Sequence, residues 1–353
     1  MFDIKTCFGQ DIDSVESKCE KGISALMESL PVFDSFCMPG HKGALTKKDL
    51  TELDGGNIFP SSSIENAQNK ASKIYSVKAC RFLTGGASQG IKASVMAVAG
   101  DIIAPSFTHR SVKEGTLLSG RRYITFDSGI DENGLPRVPT LADYEKAIDE
   151  NPQVRAVVVT SPDYFGRVAQ VEKIAELCHE KGKLLIADCA HGAHFAFRKD
   201  IFPKGGESVA DFSVLSTHKT LRALTQSAIG VVNAESYLAS YDQALALLGT
   251  TSPSYLLLSS IERAIDYEVE NAKRYDALVV ECNEIRKTKP CLLGGDPLRL
   301  TVKFSDGKKA FDELVKKGIM PEAYYGDFVV LIVTLSDDEE KIKRLNKAME
   351  NIL

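Results

Sequence analysis

The chain has 353 residues, 44% of them apolar and 26% charged, with a formal net charge of −5. That length suits one large domain plus a smaller one with a sizeable core, while the negative balance and the lack of a long basic run argue against nucleic acid or an anionic membrane as partner. No apolar run reaches the roughly 18 uninterrupted residues of a membrane span, and the polar, acidic start MFDIKTCFGQDIDSVESK does not read as an export signal. The eight cysteines, at positions 7, 19, 37, 80, 178, 189, 282 and 291, contain no CxxC pair. No zinc or other metal site is therefore expected, and the thiols read as reduced, mostly buried groups in a cytoplasm.

Residues 1–40 read as an N-terminal arm, 41–255 as the large domain, and 256–353 as a connecting helix with a small domain. Within the large domain, FLTGGASQG (82–90) precedes the helix IKASVMAVAG, with Ser88 as a candidate cap. A glycine turn before a helix N-terminus suits a phosphate, because free N–H groups point out of the helix end. The same turn is common without any ligand, and it matches neither GxxxxGK[ST] nor GxGxxG, so nucleotide readings lose their best support. The strand DIIAP (101–105) follows, then the helix HRSVKEGTLLSG ending near Gly120, the strand RYITFD, and the helix TLADYEKAIDE with Thr140 as N-cap. VRAVVVTSP is a β-branched run of the kind buried on both faces. VEKIAELCHEKG is an amphipathic helix closed by Gly182. KLLIAD, VADFSVLST and SAIGVVN are further strands. Repeated β-α-β order predicts a mostly parallel sheet between helices, with ligands beyond the carboxyl ends of the strands.

After residue 250 the pattern changes to a long amphipathic stretch, YLLLSSIERAIDYEVENAKRYDALVVECNEI, read as one connecting helix. Then LRLTVKF, KKAFDELVKKG, DFVVLIVTL and DEEKIKRLNKAMENI read as strand, helix, strand, helix, a small α+β unit. No internal repeat appears.

Five of the six histidines (41, 109, 191, 194 and 218) fall at strand ends or in loops, and His179 alone sits in a helix. Asp188 ends the strand LLIAD, and a carboxylate there needs a cation or a hydrogen-bond donor; it either caps the next turn or faces a protonated ring nitrogen. His218-Lys219 follows a buried strand, where turn residues are the norm. Lys219 either reaches solvent or is held for chemistry. A phosphate cradle, a strand-end aspartate and a strand-end lysine, in that order, suit pyridoxal 5'-phosphate, which requires an anchoring lysine, an anion for its ring nitrogen and a phosphate site. The order is that of the aspartate-aminotransferase-like enzymes, pyridoxal fold type I.

Seven segments carry a closer resemblance: MPGHKG (38–43), FLTGGASQG (82–90), THRSV (108–112), DYFGRV (163–168), ADCAHGAHF (187–195), STHKTLRALTQS (216–227) and TTSPSY (250–255). In identity and order they resemble the bacterial Orn/Lys/Arg decarboxylases of fold type I. The resemblance implies that Lys219 anchors the cofactor through a Schiff base and that Asp188 pairs with the pyridine nitrogen. It implies that His109 stacks on the ring, that Ala190 packs under it, and that His191 sits beside it. Gly86, Ala87 and Ser88 are then the phosphate residues, helped by Ser216 and His218, and Lys219 or His218 returns a proton to the substrate. The implied product is an amine formed from lysine, arginine or ornithine with loss of CO2. The implied assembly is a homodimer in which the PGHKG loop and Thr251-Ser252 lie near the partner's site. The chain departs from the family at Ala87, where Thr or Ser is usual, and at Cys189, where Glu is common. It also ends at the small domain, which the resemblance reads as a short form lacking the usual C-terminal domain. Two other readings remain: another pyridoxal reaction, such as an aminotransferase with Arg299 on the substrate carboxylate or a lyase, and a catalytically weak paralogue that binds cofactor. Glu65 is a candidate acid for a basic substrate, although a glutamate at a helix start also favours the helix dipole.

Overall fold

The computed structural model describes residues 22–29, 41, 42, 44–46, 49, 62–350 and 352. Most of the N-terminal arm, four of the six MPGHKG positions, and Cys7, Cys19 and Cys37 lie outside the described residues. The short helix α1 (Ile23–Ser29) and the helix α2 (Ser62–Tyr75) come first. Strand β1 (Ala79–Leu83) leads into helix α3 (Gly86–Val98), β2 (Ile102–Pro105) into α4 (Arg110–Leu118), and β3 (Tyr123–Phe126) into α5 (Leu141–Glu150). Strand β4 (Ala156–Thr160) leads into α6 (Val171–Glu180). Strands β5 (Leu184–Asp188) and β6 (Phe212–Leu215), the one-turn helix α7 (Thr217–Thr220) and β7 (Ala228–Val232) complete the first unit.

These strands form one sheet in the order β1-β7-β6-β5-β4-β2-β3. Strands β2 to β6 run parallel, and β7 is antiparallel to both of its neighbours. The sheet is covered on both faces, which is why AVVVT can be apolar throughout. Successive side chains of a strand point to opposite faces. Val157 and Val159 accordingly pack with Ile174 and Cys178 of α6, whereas Ala156 and Val158 pack with the side of the sheet that carries Ile91 and Val95 of α3. Each fully buried valine or isoleucine there contributes about 1.5–3 kcal/mol relative to exposure. Thr140 caps α5 as expected, in a reciprocal capping box with Asp143.

Helix α8 (Leu238–Leu248) follows, then α9 (Tyr255–Asn271) and α10 (Tyr275–Thr288). The stretch read as one connecting helix is thus two, separated by a tight turn over Ala272–Arg274. Arg274 pins that turn, bonding the Tyr267 hydroxyl at 2.6 Å and the carbonyls of Leu335 and Asp337 at 3.2 and 3.1 Å. The remaining elements are β8 (Arg299–Lys303), α11 (Gly307–Lys316), β9 (Ala323–Tyr325), β10 (Phe328–Ile332) and α12 (Glu339–Met349). They make an antiparallel sheet, β8-β10-β9, with its own core of Leu300, Val302, Leu314, Val329 and Leu331. Strands β1 and β9 and helix α8 were not read from the sequence. β1 merges into the glycine turn that follows it, and β9 is an exposed three-residue edge.

Candidate active site

The carboxyl ends of the parallel strands open onto a cavity of about 710 Å³. Its walls contain every residue named above for cofactor or catalysis: Gly86, Ala87 and Ser88 from the start of α3, His109, Asp188, Ala190 and His191, and Ser216, His218 and Lys219. Neighbouring strands β5 and β6 bring Asp188 and Lys219 together, because Asp188 pairs with Val214 in the ladder and α7 begins directly after β6.

Asp188 is 6% exposed, and the one hydrogen bond recorded for its side chain comes from the Ala190 N–H at 3.1 Å. Burial pushes its carboxyl above the usual range, against the pull of that N–H, Lys219 and His109. A buried carboxylate so sparsely bonded fits a cationic ring nitrogen opposite it. The Thr108 and Thr160 hydroxyls, on the same cavity wall, are buried without partners. The α3 N-terminus is capped by Gly85 with no side-chain bond, leaving its N–H groups to an anion. Ser88 is therefore not the cap but lies in the first turn. Gly86 sits there at φ +71°, a conformation glycine adopts freely. Together these features fit pyridoxal phosphate on this chain's own residues.

The tautomers of two histidines follow from their partners. The Ser111 N–H donates to Nδ1 of His109 at 3.3 Å, so a neutral His109 carries its proton on Nε2; the same contact caps α4. Nδ1 of His218 lies 2.9 Å from the Ser227 carbonyl, which can only accept, so that nitrogen carries the proton. Ser216 Oγ stands 3.2 Å from the same atom.

Nζ of Lys219 lies 3.1 Å from Nε2 of His191. Nδ1 of His191 lies 3.2 Å from a terminal nitrogen of Arg299, whose other terminal nitrogen donates to the Tyr164 carbonyl at 2.7 Å. Burial drives the Lys219 amine below its ordinary range, with Arg299 adding to the effect and Asp188 and Glu322 opposing it. Burial, then Arg299 and Lys219, push His191 well below the usual histidine range. Arg299 is 2% exposed and does not line the cavity. The DYFGRV segment makes room for it. A Cβ on Gly166, which has φ +89°, would meet Arg299 Cβ and Cγ at 2.5 Å.

Three further features singled out in the sequence lie outside this chain's cavity. Glu65 is exposed on α2, away from the cavity, because it faces solvent in the first turn of its helix. Thr251 and Ser252 are exposed and line no part of the cavity within one chain. Cys189 is buried at 1%, pointing toward Gly206 under the sheet rather than into the cavity, so its difference from glutamate does not alter the cavity wall. Conversely, the cavity holds an acid that no local signal marked. Glu322 stands at its mouth and accepts a hydrogen bond from the Tyr164 hydroxyl at 3.1 Å. Burial first, and then that carboxylate, push the Tyr164 phenol up to about 12.

The sequence profile of the Orn/Lys/Arg decarboxylase major domain matches residues 44–292. An arginine decarboxylase of Halalkalibacterium halodurans is 30% identical over 277 residues, 71% of this chain and 55% of the relative. One of Bacillus subtilis is 32% identical over 252 residues, 65% of this chain and 51% of the relative. The chain thus spans about half the length of these curated relatives. In structure it resembles lysine decarboxylase A of Pseudomonas aeruginosa, with a TM-score of 0.81 at 15% identity over 96% of this chain and 60% of that one. It also resembles a ureidoglycine–glyoxylate aminotransferase of Bacillus subtilis, with a TM-score of 0.65 at 14% identity over 81% of this chain and 83% of that one. The architecture is that of pyridoxal enzymes of fold type I, an α/β unit with a mostly parallel seven-stranded sheet among helices. By the extent of the profile match and the identity to these relatives, the chain belongs to the Orn/Lys/Arg decarboxylase family.

Proposed function

We propose that this chain binds pyridoxal phosphate and decarboxylates a basic amino acid (arginine, lysine or ornithine) to the corresponding amine. One observation carries the reading: Asp188 and Lys219, at the ends of adjacent strands, face one cavity that is also lined by a helix N-terminus without a side-chain cap. When bound, the cofactor supplies a sink for the electron pair left as a bond at the substrate's α-carbon breaks. Lys219 anchors it, and Asp188 keeps the ring nitrogen protonated by charge proximity. The N–H groups of Gly86, Ala87 and Ser88 take the phosphate with Ser216 and His218. His109 covers the ring face, with Ala190 and His191 on the other sides. Ala87 brings no hydroxyl, so backbone donors carry more of that contact. Lys219 and His218 are the cavity groups that can return a proton to the α-carbon.

Glu322 is the acid we assign to the substrate's basic side chain, held in place by Tyr164. The relatives named arginine decarboxylase favour arginine among the three substrates. A cytoplasmic homodimer completes the proposal. Leu117, Leu118 and Leu247 leave large apolar side chains exposed on α4 and α8, as an interface requires, and Cys80, Cys178, Cys189, Cys282 and Cys291 are free thiols. The aminotransferase alternative needs an arginine for the substrate carboxylate, and Arg299 instead turns to His191 and Tyr164 behind the cavity wall.

The test is to load the protein with pyridoxal phosphate, record its visible absorbance, and add arginine, lysine and ornithine in turn while measuring CO2 and products. CO2 with an amine is expected. An oxo acid without CO2 would replace this reading by transamination, and absorbance without turnover would leave a cofactor-binding paralogue.

A further inference from the structure

We infer that Arg299 is a positioning residue: it locks His191 as the neutral Nε2–H tautomer, and that ring in turn requires Lys219 to be an uncharged amine in the cofactor-free chain. This inference rests on reading Lys219 as the cofactor's anchor. The argument is one of donors and acceptors. A guanidinium has N–H donors and no acceptor, and it keeps its charge in proteins. The contact of 3.2 Å between Arg299 and Nδ1 of His191 therefore places the lone pair on Nδ1. The ring proton must then be on Nε2, which faces Nζ of Lys219 at 3.1 Å. An ammonium would set N–H against N–H there. A neutral amine offers its lone pair, and the chain of three groups is satisfied.

The surroundings favour the same arrangement. His191 is faced by Arg299 from β8, Lys219 from α7, His109 from the start of α4, Tyr164 from the loop after β4, and His194 from its own loop. Burial opposes a charged imidazole most, and four of these neighbours, Arg299, Lys219, His109 and His194, can be cationic and oppose it further. Lys219 is faced by Asp188 and Glu322, which favour its ammonium form, and by Arg299, which disfavours it. The His191 N–H supplies the directional contact that burial and charge alone lack.

The consequence is chemical. An amine attacks an aldehyde only through its lone pair. Nζ adds to the cofactor's aldehyde carbon, water leaves, and the carbon–nitrogen double bond replaces the carbonyl. A lysine held neutral captures cofactor at a pH where a free lysine would be almost wholly protonated. Because Arg299 comes from β8 of the small unit and Lys219 from the large one, the smaller sheet sets the reactivity of the larger unit's nucleophile.

The deciding experiment is nitrogen NMR of the histidine rings in the cofactor-free chain. The His191 signal is identified by its loss in His191→Gln, a tractable task with six histidines in the sequence. A proton on Nε2 and a bare Nδ1 are expected across neutral pH; a proton on Nδ1 in the wild-type chain overturns the inference. Alongside it, Lys219 is labelled with pyridoxal phosphate and cyanoborohydride, which delivers hydride to the new carbon–nitrogen double bond, and the label is counted by mass spectrometry against pH. In Arg299→Met the midpoint of labelling should move up by at least about one pH unit. Arg299→Lys, whose ammonium also only donates, should restore most of it. An unchanged midpoint in a folded Arg299→Met sinks the idea, and if neither variant folds, the wild-type ring signal decides. A chain that shows the tautomer yet releases no CO2 would sink the reaction reading and leave this inference standing.

Discussion

The two walls of the cavity differ in how they are built. The wall from the large sheet consists of contiguous motifs: Asp188 to His191 follow β5, and Ser216 to Lys219 follow β6. Its groups are held by backbone bonds a few residues away, such as the Ala190 N–H on Asp188 at 3.1 Å and the Ser227 carbonyl on His218 at 2.9 Å. The small unit contributes single residues: Glu322 and Ile332 in the wall itself, with Glu322 bonded to Tyr164 at 3.1 Å, and Arg299 behind the wall, 3.2 Å from His191. The first wall suits chemistry common to a cofactor class, which needs the same few groups at fixed spacing. The second suits what differs between members, since one substitution there changes a contact without disturbing a strand end.

Three substitutions sharpen that comparison. Asp188→Asn removes a buried charge from the first wall while keeping its shape and its bond to Ala190. We expect folding to survive and kcat to fall about 10²–10³-fold, by the magnitude of losing a preorganised electrostatic contact. A rate near wild type would remove Asp188 from the mechanism. Glu322→Gln acts on the second wall. Because this carboxylate is exposed to solvent, its effect is smaller: KM for the basic substrate should rise about tenfold, roughly 1.4 kcal/mol, with kcat little changed, the pattern of lost uniform binding. A fall in kcat at constant KM would move Glu322 from recognition to chemistry.

The third substitution lies outside the cavity and acts on stability rather than on turnover. Glu268 on α9 is fully buried, accepts a hydrogen bond from the Tyr275 hydroxyl, and has its carboxyl pushed up from 4.5 to about 7, chiefly by burial. The folded chain therefore holds a proton that the unfolded chain has released anywhere between those two values. The unfolded state binding fewer protons, stability falls as pH rises through that window. Glu268→Gln should flatten the fall, a difference of roughly 1–3 kcal/mol between about pH 5 and about pH 8 in denaturant melts. An unchanged pH dependence would show that other groups set it.

His191 and His194 show where legibility ended. They stand three positions apart in one motif, CAHGAHF, and no property of that string separates them. In the fold His191 faces Lys219, whereas His194 is 2% exposed and turned toward Asp296, with Nε2 at 3.2 Å from its carboxylate in a poor geometry for hydrogen bonding. The loop's path decides this, through Phe195 packing into the small unit's core. Arg299 is a second case. Its place in LRLTVKF suggested a carboxylate ligand, and packing against Gly166 turned it behind the wall instead. Glu65 failed for a simpler reason: a helix-start glutamate is as well explained by solvent and the helix dipole, and solvent is where it points.

By itself the sequence determined the parallel α/β architecture, since buried parallel strands must be continuous apolar runs. It also determined the wall that holds Asp188, His218 and Lys219, because strand ends are specified by residues adjacent in the chain. What the tertiary structure alone decided is the break between α9 and α10, the acid at the cavity mouth and the proton on His191. Each depends on a partner far away in sequence: Arg274 on Leu335, Tyr164 on Glu322, His191 on Arg299. Hydrogen bonds between distant residues leave no periodicity in a sequence, so they become visible only when the chain has closed on itself.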